Sequence, residues 1–343
     1  LLFHKIISVE NLFCAWREFK RGKNKSPDVQ AFAFSLEDNI FTLHDQLLLG
    51  IWQPDPYVGF YIKDPKLRHI HKASVRDRVF YQAVFRVLDP VWEPKFIAHS
   101  FSSRVGKGTL AGVIAIESFA RKASRNWTRK SYALSCDIRK FFDSIDHGIL
   151  ESLIARVISG NQEDQLLSLI YKIVRGFESS PGKGLPLGNV TSQLFANVYL
   201  NELDQFMKRK LEAQYYARYC DDFVIVSHDK FFLESVIPNI SKFLEKELLM
   251  ELHPNKIELR SFRQGVDFLG YVIRPHHRVF RTSTKQRVFR KLRIARELVA
   301  KGGMEQETLA AMLHSYRGML SHCRSHRLQK QLVAFEDFTR RFD

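Results

Sequence analysis

The pattern of apolar and polar positions changes twice along the chain. Residues 1–128 mix stretches of helical period with basic loops. From residue 129 to about 275 the runs are short and alternate. In Tyr132-Ala133-Leu134-Ser135-Cys136-Asp137, one face takes Tyr132, Leu134 and Cys136 and the other takes Ala133, Ser135 and Asp137. That spacing predicts a half-buried strand ending in a carboxylate. Residues 215–226 hold two β-rich runs around Asp221-Asp222, which predicts a hairpin with both acids at its turn. Between these elements, Gly182-Lys183-Gly184-Leu185-Pro186-Leu187-Gly188 is punctuated as a loop. Phe195, Val198, Tyr199, Leu203 and Phe206 then mark an amphipathic helix, with Thr191 or Ser192 as its cap. The last zone is helical. Val288, Leu292, Ala295 and Val299 recur at helical spacing, Gly302-Gly303 stops that helix, a second covers residues 308–319, and a third follows Ser325.

Composition narrows the class. The 343 residues are 45% hydrophobic and 26% charged, which excludes a disordered chain. No apolar run approaches the ~18 residues of a membrane span, so no membrane partner is expected. His4, Lys5, Glu10 and Asn11 interrupt the first sixteen residues, unlike a secretory signal. Cys14, Cys136, Cys220 and Cys323 are widely spaced, without Cys-x-x-Cys. This excludes a disulfide framework and a cysteine zinc site, fits a reducing compartment, and makes cytoplasmic residence the expectation.

Charge points to the partner. Fifty-three Lys and Arg against 37 Asp and Glu leave +16, a surplus suited to a polyanion such as nucleic acid. Residues 17–25 hold five basic residues and one Glu, and residues 63–78 form a second basic region. Residues 281–296 hold seven basic residues and no acid. There one helix face is expected to pack while Arg281, Lys285, Arg287, Arg290 and Lys291 meet a nucleic-acid backbone. His69, His71, His276 and His277 come in close pairs in basic company, which favours phosphate or base contact over zinc.

The acids carry the candidate chemistry. A carboxylate at a strand end is costly to bury unless it is paired or bound to a metal. Asp137, with the adjacent Asp221 and Asp222 on a later hairpin, has the composition of a two-metal site. Mg²⁺ takes oxygen ligands, and two such ions can serve both ends of an in-line displacement. The glycine-rich loop allows close backbone approach to a flat ligand.

In this order the elements resemble motifs A, B and C of reverse transcriptases of the bacterial, group II intron-like branch. Cys136-Asp137-Ile138-Arg139-Lys140-Phe141-Phe142-Asp143 resembles motif A, and Tyr219-Cys220-Asp221-Asp222 matches the Tyr-x-Asp-Asp of motif C. Arg76-Asp77-Arg78-Val79 and residues 101–108 are similar to fingers motifs. His253-Pro254-Asn255-Lys256 resembles motif D, Phe268-Leu269-Gly270-Tyr271 the primer grip, and Ser315-Tyr316-Arg317-Gly318 the thumb. Motif B departs from the usual Gln-Gly-x-x-x-Ser-Pro. Here it reads Leu187-Gly188-Asn189-Val190-Thr191-Ser192-Gln193, which is similar to the enzymes of diversity-generating retroelements.

The resemblance implies an α+β right-hand polymerase. Residues 1–128 would form an N-terminal extension and fingers. Residues 129–277 would form an antiparallel palm, with a fingers-side helical insert at about 148–180. Residues 278–343 would form a helical thumb. It implies an RNA-directed DNA polymerase using two Mg²⁺ ions, with Mn²⁺ as a substitute. The partners implied are a template RNA, a cDNA or primer, dNTPs and a small, basic, oligomeric accessory variability protein. Asp137 and Asp221, helped by the Ile138 carbonyl, would hold metal, and Asp222 would complete the acidic site. Lys256 would act as general acid. Lys63, with Lys66 and Lys72 nearby, and Arg68 would meet the triphosphate. Phe142 would be the steric gate, and Leu187, Gly188 and Gln193 would border the nucleotide. Phe268 and Gly270 would grip the primer. Leu187, which lacks a polar group, would relax copying at template adenine. Two alternatives stay open: a group II-like or phage-defence reverse transcriptase without mutagenic homing, and a catalytically silent RNA-binding scaffold. A chain of this length is expected to lack a maturase-like DNA-binding or endonuclease extension.

Overall fold

The computed structural model describes residues 1–63, 67–158 and 163–339. The N-terminal part is helical: α1 (Leu2–Ile7), α2 (Val9–Phe19), α3 (Pro27–Phe34) and α4 (Leu36–Leu48). The stripe Leu12, Ala15, Trp16 and Phe19 buries one face of α2. An antiparallel hairpin follows, β1 (Val58–Lys63) with β2 (Leu67–Lys72). Within the basic region of residues 63–78, Lys63 and Leu67–Lys72 are therefore strand, not loop. Next come α5 (Val75–Trp92), whose first turn is capped by the Ser74 hydroxyl at 3.2 Å from the Asp77 amide, and α6 (Thr109–Ala123).

The central sheet joins four strands: β3 (Tyr132–Asp137), β4 (Tyr215–Tyr219), β5 (Asp222–Ser227) and β6 (Glu258–Ser261). Their order is β4-β5-β3-β6, antiparallel throughout. Between β3 and β4 lie α7 (Phe141–Ser144), α8 (His147–Ile158), α9 (Asp164–Arg175) and α10 (Val190–Arg209); α11 (Lys230–Glu247) follows β5.

β3 alternates as expected but is buried on both faces rather than one. Leu134, Cys136, Tyr216, Phe223 and Ile225 pack into a core shared with α8, α10 and α11. Ala133, Ala217, Val224 and Val226 pack into a second core with Val113, Ile116 and Phe119 of α6. The small Ala133 and Ala217 side chains let α6 lie close to the sheet. The α10 cap also differs. Asn189 is the extended residue before the helix, and Thr191 and Ser192 are buried inside the first turn.

A three-stranded antiparallel sheet, β7 (Val266–Phe268), β8 (Tyr271–Arg274) and β9 (His277–Phe280), leads to α12 (Thr282–Ala300), α13 (Gln306–Ser321) and α14 (His326–Thr339). Val288, Leu292 and Ala295 are buried as the periodicity requires, with Leu309, Leu313 and Leu320 opposite. Gly302 takes φ +70° just beyond α12. The molecule is thus α+β, with antiparallel sheets and helical regions at both ends. No helix among the described residues is long and apolar enough to cross a membrane.

Candidate active site

Strand register assembles the acids. Asp137, the last residue of β3, stands opposite Asp222, the first residue of β5. Directly opposed residues of antiparallel strands send their side chains to the same face. The two-residue turn between β4 and β5 is Cys220-Asp221, with Cys220 in the left-handed region at φ 56°. Of the two acids only Asp221 therefore lies in the turn, and Asp222 is already paired in the ladder.

The chain after β3 is pinned from one side. The Asp137 carbonyl accepts the His253 amide at 2.8 Å, and the Arg139 amide donates to the Glu251 carbonyl at 2.9 Å. Ile138 faces Leu252 between these bonds, so this pairing does not consume its carbonyl. The same segment delivers Lys256, whose Nζ lies 2.5 Å from Asp137 Oδ2.

The electrostatics record crowding. Burial and the neighbouring Asp137 charge raise the Asp221 carboxyl above the usual range. Asp222 is raised further, by desolvation and then by the charges of Asp221 and Asp137. Because the Asp222 side chain is exposed, the repulsion is the firmer cause. Among the described residues, no three or more His, Cys, Asp or Glu side chains stand as a preassembled metal cage. The donors are nevertheless of the oxygen type that a hard cation takes: Asp137 and Asp222 oppose each other at one sheet end with Asp221 in the adjoining turn, and Lys256 is the positive group in contact with Asp137.

Two concavities flank this corner. One, of about 920 Å³, is lined by Arg68, His69 and His71 of β2, by Arg139 and Lys140 just after Asp137, and by Leu187. The other, of about 750 Å³, runs from Asp222 past Leu269 and Gly270 to Arg281, Arg287 and Arg290 on and before α12. The sequence-predicted residues divide between them. Gly188, at φ +116°, lies next to Ile70 of β2. Gln193 is exposed on the first turn of α10.

Other predicted residues sit apart from the lining. Lys63 is exposed at the hairpin end, opposite Leu67; Lys66 lies outside the described residues; Lys72 pairs with Asp28 at 2.8 Å. Phe142 is half-buried against the first core, and its carbonyl accepts the Leu185 amide at 2.9 Å. Phe268 is 4% exposed and packs in the second core. Lys285 borders a separate groove between α12 and α14 with Phe289 and Phe335. Lys291 lines neither concavity beside the acids.

Sequence reasoning missed two features. Tyr61 stacks on His69 at 4.5 Å, and His71 meets Phe177 at 4.6 Å, forming a ring ladder on the hairpin. The alternation of His69 and His71 was the available signal. The second is a buried ion pair, Asp204 with Arg218, both with 0% exposure.

Fold and site together define an α+β protein with acidic residues at one end of an antiparallel sheet. Comparison with known proteins agrees. The model of the family described as reverse transcriptase (RNA-dependent DNA polymerase) matches residues 62–273, well over half the chain. The chain belongs to that family. It is 26% identical over 269 residues to Protein YkfC of Escherichia coli K12, covering 67% of this chain and 69% of that one. It is 24% identical over 350 residues to the group II intron-encoded protein LtrA of Lactococcus lactis, covering 80% of this chain and 56% of that one. Apo telomerase from Candida tropicalis shares the fold at TM-score 0.50 and 14% identity, over 84% of this chain and 62% of that one. The chain therefore spans little more than half of the intron-encoded relative and of the telomerase. Family membership implies divalent-metal-dependent chemistry in general and template–primer binding.

Proposed function

We propose that the protein is an RNA-directed DNA polymerase that extends a primer along an RNA template. The observation that carries this reading is the register that sets Asp137 opposite Asp222 with Asp221 in the adjoining turn, beside a basic groove. In this reading residues 1–128 are extension and fingers, 129–277 palm and 278–343 thumb. The primer 3′-hydroxyl attacks the α-phosphate of the dNTP and pyrophosphate leaves. Asp137, Asp221 and the Ile138 carbonyl would hold divalent ions, with Asp222 beside the primer end. When bound, such ions activate the hydroxyl and neutralise the leaving oxygen. Arg68 holds the triphosphate from the hairpin side, Lys63 adds charge from the end of β1, and Phe142 is the steric gate that rejects a ribose 2′-hydroxyl. Gly188 and Gln193 border the nucleotide from the loop and from α10. Lys256 protonates the leaving pyrophosphate after releasing Asp137. Gly270, Arg281, Arg287 and Arg290 track the primer–template backbone. Lys285 and Lys291 extend that contact along α12.

Incorporation of dNTPs on a primed RNA with Mg²⁺ tests the reading. The wild type extends the primer, and the Asp221→Asn, Asp222→Asn protein does not. A silent scaffold would bind the RNA and extend in neither case.

At a finer level we infer error-prone copying at template adenine, as in a diversity-generating retroelement, with a small basic accessory protein as partner. The support is Leu187, an apolar side chain on the cleft where a glutamine would offer hydrogen bonds. Leu187→Gln is expected to lower misincorporation at adenine, read by sequencing cDNA from the cognate RNA, with the other bases unaffected. The likeness to an intron-encoded protein favours a second reading, accurate copying without mutagenic homing. Errors spread evenly over the four template bases would select it.

A further inference from the structure

Arg218 lies directly behind the Tyr219-Cys220-Asp221-Asp222 turn. Each of its five N–H donors has an acceptor. Nε donates to Asp204 Oδ1 at 2.8 Å, and Nη2 donates to Asp204 Oδ2 at 2.7 Å and Ser100 Oγ at 3.2 Å. Nη1 donates to Asn197 Oδ1 at 3.3 Å and to the Cys220 carbonyl at 3.1 Å. Its own backbone is tied to the preceding loop: the Arg218 amide donates to the His99 carbonyl at 3.0 Å, and the Arg218 carbonyl accepts the Phe101 amide at 2.9 Å.

Stability gives a weak reason for this arrangement. Two buried charges pay a desolvation penalty that apolar side chains of similar volume avoid. The contact that stands out is the one to Cys220. That residue holds φ 56°, a region that side chains with a Cβ take at a cost. The Cys220 carbonyl and the Asp221 amide share one rigid peptide plane. Fixing the carbonyl fixes the plane from which Asp221 projects.

We propose that Arg218 is a positioning residue: clamped by Asp204, its guanidinium pins the Cys220 carbonyl and so sets the aim of Asp221. The inference rests on the polymerase reading for its effect on turnover.

The test uses the full chain with three variants. Asp204→Leu, Tyr216→Phe, Arg218→Met removes the charges together with the tyrosine hydroxyl that donates to Asp204 at 2.7 Å. Arg218→Lys keeps a charge for Asp204 but loses the planar fork that also reaches Cys220. Single-nucleotide extension, Mn²⁺ binding by electron paramagnetic resonance, and melting temperature are measured. For the triple variant, kcat falls about 100-fold while KM for dNTP changes little, and melting is retained. Mn²⁺ affinity weakens about tenfold. Adding Cys220→Gly, which takes the left-handed turn freely, recovers part of the turnover. Arg218→Lys loses about tenfold in kcat and decides the matter if the triple variant does not fold. Wild-type turnover and Mn²⁺ affinity in the folded variants overturn the proposal. If the wild type itself extends no primer, the polymerase reading fails, and the Mn²⁺ comparison still decides the role of Arg218.

Discussion

Three like charges at one corner set the behaviour of single residues here. Asp221 is raised by burial and by the Asp137 charge, and Asp222 is raised chiefly by the neighbouring Asp221 and Asp137 carboxylates. A carboxyl whose folded pKa is raised binds its proton more tightly in the folded chain. Its penalty is absent below the ordinary carboxylate pKa and grows as pH rises through the raised value. Without divalent ions the protein is therefore expected to lose melting temperature from mildly acidic toward neutral pH. Asp222→Asn should flatten that profile and raise the neutral melting point, while Mg²⁺ should stabilise the wild type more than the variant. Equal profiles for the two proteins would show that Asp222 does not feel its neighbours.

At the level of elements, β-turn geometry constrains the sheet next to α12. Gly265 holds φ +94°, and a Cβ there would stand 2.7 Å from Val272 Cγ1 across the β7–β8 pair. Gly265→Ala should cost about 1–3 kcal/mol in chemical denaturation, from backbone and clash together. An unchanged midpoint would refute the strain. The elements also show what the sequence could convey. The β3 alternation, the α10 stripe and the α12 spacing were legible because one side-chain period dominates each. The burial of β3 on both faces was not, since Ala133 and Ser135 read as the polar face although Ala133 contacts α6. The β1–β2 hairpin hid behind its charges and histidines, because it is exposed and its pattern is not set by a core. Asp137, Asp221 and Asp222 were visible as candidates. Their meeting depends on a β3–β5 register that no local pattern encodes, and the same holds for Asp204 with Arg218, fourteen residues apart along the chain.

Across the whole molecule the surplus of +16 is distributed, not uniform. Arg281, Arg287 and Arg290 share one groove with Asp222, and Arg68, Arg139 and Lys140 share the other cleft. Binding of a primer–template should weaken steeply with salt. Arg287→Gln with Arg290→Gln should lower the slope of log affinity against log salt by about 2, one per lost phosphate contact. Asp221→Asn should leave that slope unchanged. Identical slopes for wild type and the double arginine variant would move the nucleic-acid path elsewhere.

The most direct measurement is addition of one nucleotide to a DNA primer on an RNA template, with Mg²⁺, by the wild-type and Asp137→Asn chains side by side. We predict product from the wild type and a loss of about a thousandfold or more in the variant, with primer–template affinity retained. Equal product from both chains would contradict the account, because the strand-end carboxylate would then have no part in the reaction.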